Sequence, residues 1–163
     1  YDSYFSNIAK VTRNMAVLHL LVGTTSGNTE FLADTISDEL IEQGFETELH
    51  YEPELEALPT SEPWLVLLSS HGAGDYADSM LDFYDEITAP QTPDLSDLNY
   101  AVIAIGESSY DTFCQAGRHC DERLQELSGT RMLERLEIDM LQDDPEQKAA
   151  QWIPSITDAL KAL

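Results

Sequence analysis

A chain of 163 residues with 42% apolar content is long enough for one domain with a buried core and too apolar for a disordered segment. Eight Lys and Arg against 31 Asp and Glu leave a net charge of −23, which argues against nucleic acid and anionic membrane surfaces as ligands and favours a basic partner. No apolar run approaches the ~20 residues of a membrane span, and no secretory h-region is present.

Residues 1–14 (YDSYFSNIAKVTRN) fit no element that follows, and Met15 stands like a start residue before the first strand. They read as a leader or expression-derived tail, and residues 15–163 as the domain. Ala16–Val22 is almost wholly apolar, the pattern of a strand buried on both faces. The loop Gly23-Thr24-Thr25-Ser26-Gly27-Asn28-Thr29 follows. Phe31, Leu32, Ile36, Leu40 and Ile41 then form a helical stripe, with Gly44 placed to end it. Phe45–Tyr51 alternates in part and reads as an edge strand. After a surface connection over Glu52–Pro63, Trp64–Leu68 is a second buried strand, followed by Ser69-Ser70-His71-Gly72-Ala73-Gly74-Asp75-Tyr76.

Met80, Phe83, Tyr84 and Ile87 mark a second helix, and Pro90–Pro93 a surface connection. Tyr100–Ile105 is a third buried strand, followed by Gly106-Glu107-Ser108-Ser109-Tyr110-Asp111-Thr112-Phe113-Cys114. Cys120, Leu124 and Leu127 mark a third helix, with Gly129 just beyond it. Met132, Leu136, Ile138 and Met140 share one face of Arg131–Leu141, the second edge strand. Asp144-Pro145 opens a last helix carrying Ala149, Trp152, Ile153, Ile156 and Leu160, which Pro154 is expected to kink or re-start.

Strand–helix alternation predicts an α/β fold: a three-layer sandwich around a five-stranded parallel sheet. With the three apolar strands central and right-handed crossovers, the order is 2-1-3-4-5. Cys114 and Cys120, six apart on one predicted helix, lie about 120° apart around its axis and are not expected to bridge. A reducing, cytoplasmic setting follows. His19 and His50 lie in strand patterns and receive no role; Cys120 reads as core.

Ligands of such sheets gather at the C-terminal ends of the strands, where the three glycine-bearing loops converge. The first loop is neither a Walker P-loop, which needs Lys where Asn28 stands, nor a GxGxxG fingerprint. No Lys or Arg occurs between Arg13 and Arg118, so a phosphate held here meets backbone N–H groups, Thr24, Ser26 and Thr29 hydroxyls, and a helix N-terminus. His71 on one loop and Tyr110 with Phe113 on another offer rings to sandwich a flat heteroaromatic ligand. Gly72 and Gly74 let backbone approach its edge. The acids of a receiver domain are missing after the first strand, and no CxxxxxR loop of a cysteine phosphatase is present.

Three segments carry a resemblance to the flavodoxins. Thr24–Thr29 is similar to the [ST]-x-[ST]-G-x-[ST] phosphate loop for flavin mononucleotide (FMN), Ser70–Asp75 to the T-[WY]-G-x-G-D loop, and Gly106–Cys114 to G-D-S-S-Y-x-x-F-C. Within that family the loops are most similar to those of the MioC and YqcA branch. The resemblance implies that Thr24, Thr25, Ser26, Gly27, Asn28 and Thr29 bind the phosphate. It implies that His71 faces the inner side of the isoalloxazine, that Tyr110 stacks on the outer side, and that backbone of Ser69, Ser70, His71, Gly72, Ala73, Gly74, Gly106, Glu107, Ser108, Ser109, Tyr110, Asp111, Thr112, Phe113 and Cys114 borders the ring. His71 replaces the usual Trp or Tyr, and Glu107 the usual Asp. The function implied is a monomeric one-electron carrier between a flavodoxin reductase-type donor and an acceptor protein, each with a basic docking face. An FMN-dependent NAD(P)H/quinone oxidoreductase is the alternative.

Overall fold

The computed structural model describes residues 16–24, 27–70, 74–91 and 93–163. The reading of residues 1–14 as a tail lies outside them. In chain order the elements are β1 (Val17–Gly23), α1 (Gly27–Glu42), β2 (Glu46–His50), β3 (Trp64–Ser69), α2 (Leu81–Thr88), β4 (Asn99–Gly106), α3 (Gln115–Glu126), β5 (Thr130–Arg131), β6 (Leu136–Asp139) and α4 (Pro145–Lys161). Short 3₁₀ turns stand at Leu55–Ala57 and Asp78–Met80.

All ladders are parallel, in the order β2-β1-β3-β4-β5. Every residue of β3 is buried, as its unbroken apolar run requires. One face of the sheet packs Leu21, Val66 and Val102 against Phe83 and Leu124 of α2 and α3. The other packs Leu20, Leu65 and Ile103 against Ile36 and Ile153 of α1 and α4.

Four local expectations are corrected. The expected edge strand over Arg131–Leu141 is two strands, both on β4. Five residues separate Arg131 from Leu136, but three separate their partners Tyr100 and Ile103, so two extra residues loop out between β5 and β6. The cause lies in the side chains: Arg131 and Arg135 both reach the Asp121 carboxylate on α3. On α1, Phe31 and Ile41 are 58% and 52% exposed and leave the stripe. Each lies five residues from buried Ile36, about 140° around the helix. Pro154 does not re-start the last helix: α4 runs unbroken through it, with the proline on the exposed side. Cys114 precedes α3 rather than lying on it. Asp144 caps α4 as expected, accepting from Gln147 N–H at 3.3 Å, with Pro145 in the first turn.

Candidate functional site

The site forms where β1, β3 and β4 end side by side. Gly23 pairs in register with Leu68, and Ser69 with Ile105. Three hydrogen bonds stitch the ends together. The Ser69 hydroxyl donates to Gly23 O at 3.3 Å, Ser70 N–H donates to Ile105 O at 3.1 Å, and Ala116 N–H donates to Ser70 Oγ at 3.0 Å. β1 is followed closely by α1, so the helix N-terminus opens at this edge. A Cβ built on Gly27 would meet nothing within 4 Å, which leaves open space beside that first turn.

The third loop folds back onto the end of β4. A Cβ on Gly106 would lie 2.7 Å from Cys114 N and 3.1 Å from the Phe113 ring, so only glycine permits this approach. Tyr110 N–H bonds Glu107 O and Phe113 N–H bonds Tyr110 O, each at 3.1 Å, and these turns leave the Tyr110 ring 60% exposed. Cys114 takes a left-handed conformation (φ +55°) at the start of α3. Its thiol is buried and donates to Ala104 O at 3.4 Å. Burial pushes its pKa up to about 12, so the sulfur is a protonated packing group.

Asp139, the last residue of β6, anchors the loop. Its carboxylate accepts from Ser108 N–H at 3.1 Å and Leu141 N–H at 3.0 Å. Hydrogen bonding from Ser108, the hydroxyl first, holds this carboxyl below the usual range. Behind the cleft the Arg118 guanidinium sits 5.5 Å from the centre of the Phe113 ring. It forks onto Glu137 at 2.6 and 2.8 Å, so the positive charge nearest the loop is neutralised.

The resulting cleft has a volume of about 400 Å³, within the usual range for small-molecule sites. Of the residues predicted from sequence, Asn28, Thr29, Ser69, Ser70, Gly106, Glu107, Tyr110 and Phe113 line it. Thr24 is buried at the end of β1, while Ser108, Ser109 and Cys114 belong to the third loop without lining the cleft. Gly74, with φ +91°, lies against the Gln115 side chain rather than in the cleft. Thr25, Ser26, His71, Gly72 and Ala73 fall outside the described residues. Thr112, within the third loop expected at the ring, also lines the cleft; two lining residues were missed, Ile105 and Met140. Met140 read as part of the edge strand's apolar face. β6 ends one residue earlier, and Met140 N–H bonds Gly106 O at 2.8 Å, which brings it to the cleft. The acids at Asp139 and Asp143 were the available sign of that turn: Asp143 Oδ2 accepts from Asp139 N–H at 2.8 Å.

The described part of the cleft thus offers backbone amides, hydroxyls, a helix N-terminus and exposed aromatic surface. Its donors suit a flat ligand bearing an anion, held without covalent chemistry.

The family model described as Flavodoxin matches residues 20–152. The chain is 40% identical over 143 residues to Protein MioC homolog of Haemophilus influenzae, covering 87% of this chain and 97% of that protein. It is also 40% identical over 148 residues to Protein MioC of Escherichia coli strain K12, covering 90% and 100%. A longer relative, the sulfite reductase (NADPH) flavoprotein alpha-component of Bacillus subtilis, is 32% identical over 152 residues, which are 92% of this chain and 24% of that protein. Among solved structures, a cysteine-to-serine mutant of flavodoxin from Pseudomonas aeruginosa superposes with a TM-score of 0.78 at 29% identity, over 89% of this chain and 99% of that one.

Proposed function

Because the chain belongs to the flavodoxin family and is of the MioC type, an FMN-binding electron-transfer protein, we propose that the cleft at the ends of β1, β3 and β4 is its flavin site. Bound FMN supplies one-electron chemistry at its isoalloxazine ring. The residues here fit that group: the open first turn of α1, the glycine-permitted fold-back at Gly106 and the uncovered Tyr110 ring form a cradle for phosphate and ring. Thr24–Thr29 and the α1 N-terminus hold the phosphate through neutral donors. Tyr110 and His71 would pack against the flavin ring. The backbone of Ser69–Gly74 and Gly106–Cys114, Glu107 included, would border the ring.

The observation that carries this assignment is Tyr110, an aromatic ring left 60% exposed over a ready cleft. Titrating apoprotein with FMN and following quenching of flavin fluorescence tests it. Tyr110→Ala should weaken binding about tenfold, the loss of a stacked pair worth about 1.4 kcal/mol. Unchanged affinity would remove Tyr110 from the site.

The protein works as a monomeric one-electron carrier in the cytoplasm, a setting supported by two buried thiols that remain unpaired. Its acidic surface docks on a basic reductase-type donor and a basic acceptor protein through small, transient contacts. A steady-state assay of the FMN-loaded protein with NAD(P)H and a quinone separates this role from that of a quinone oxidoreductase: the carrier shows negligible turnover without a reductase.

A further inference from the structure

Away from the cleft, at the β1–β2 edge of the sheet, two histidines and two glutamates converge. His19 and Glu48 are register partners on the two parallel strands, and His50 lies two residues further along β2, on the same face. His19 Nδ1 stands 2.9 Å from His50 Nε2. The Glu48 carboxylate lies 3.8 Å from the first of these nitrogens and 4.0 Å from the second. On the opposite side of the His19 ring, Nε2 faces Glu62 Oε1 at 3.2 Å, while Glu62 Oε2 accepts from Val17 N–H at 2.9 Å.

This pattern assigns the protons. Glu62 is an acceptor on both oxygens, so the His19 ring carries its hydrogen on Nε2. The Nδ1 lone pair of His19 therefore points at His50, with a carboxylate beside both. One hydrogen bond to Glu62 would satisfy a buried histidine; the second imidazole and the second carboxylate go beyond that need. We propose that His19 Nδ1, His50 Nε2 and the Glu48 carboxylate form a binding site for one zinc-class divalent ion, with water in the fourth position.

The donor set and geometry suit that class. Two imidazoles and one carboxylate with an open position are a tetrahedral zinc-type arrangement. Ligand atoms about 2.0–2.1 Å from such an ion lie about 3.3 Å apart. The two nitrogens need to part by about 0.4 Å, and the carboxylate to close by about 0.5–0.7 Å. Glu48 has that freedom, since its side chain is 61% exposed, whereas His19 is held at 3%. Glu62 supplies the outer carboxylate that fixes the tautomer and orientation of a ligating histidine. Entry of the ion displaces the proton between the two imidazoles and clamps β2 to β1.

The proposal is independent of the flavin reading. The test uses the purified full chain stripped with chelator, titrated with Zn²⁺ by calorimetry in excess Mg²⁺ to saturate the acidic surface. One equivalent should bind and raise the melting temperature. His50→Gln and Glu48→Gln, with an unchanged far-UV circular dichroism spectrum as the sign of folding, should each weaken binding at least tenfold. No saturable Zn²⁺ binding, or one-equivalent binding that neither substitution weakens, would overturn the site.

Discussion

Gly44 ends α1 as read: its φ is +92°, Gly44 N–H bonds Ile41 O and Phe45 N–H bonds Leu40 O, each at 3.0 Å. At the end of α3 the same hydrogen-bond pattern recurs one residue before the glycine. Ser128 takes the left-handed position, with φ +77°, and Gly129 follows it. Gly129 is needed for a different reason, since a Cβ there would lie 2.9 Å from Leu124 O and 3.2 Å from the Tyr100 ring. Ser128→Gly should therefore stabilise the fold by about 1 kcal/mol, the cost of holding an L-residue at positive φ. Gly129→Ala should destabilise it. The midpoints of urea unfolding measure both.

At the scale of elements, the legible parts were those whose signal is local. β1, β3 and β4 declare themselves as apolar runs because both of their faces are covered, and the loops after them were visible for what their residue types can do. The break between β5 and β6 had no local sign. It depends on Asp121, fully buried on α3, which accepts from Arg131 at 2.9 Å, Arg135 at 2.6 Å and the Tyr100 hydroxyl at 2.9 Å. The His19–His50 pair was equally hidden, because only the β1–β2 register brings the two rings together.

Replacing both arginines with Met should cost about 3–5 kcal/mol, since it strands a buried carboxylate with one hydroxyl partner. Equilibrium denaturation checks this. Asp139 gives the third loop a pH dependence. Its pKa is lowered in the folded state, so the stabilisation it provides is complete above the unfolded carboxyl value of about 4 and fades as pH falls through the folded value. Acid titration of the FMN-loaded protein should release flavin within that window. Asp139→Asn should start with weaker binding at neutral pH and show a shallower acid dependence.

At the scale of the whole molecule, charge dominates. The net charge is −23, and Arg118, Arg123, Arg131, Arg135 and Lys148 are each tied into an ion pair. Bound FMN would gain negative charge on full reduction, and these paired cations would do little to offset it. The second reduction potential should lie below the first and rise with ionic strength, as spectroelectrochemical titration at two salt concentrations will show. Docking on a basic partner should slow over the same salt range.

As proposed, amides, hydroxyls and a helix end hold the FMN phosphate without a cationic side chain. Comparing FMN with riboflavin, the same ring without the phosphate, in fluorescence titrations of the apoprotein tests this most directly. One FMN should bind saturably and riboflavin at least about a hundredfold more weakly, the loss of roughly two hydrogen bonds to a charged group. Equal affinity for the two, or no binding of FMN, would contradict it.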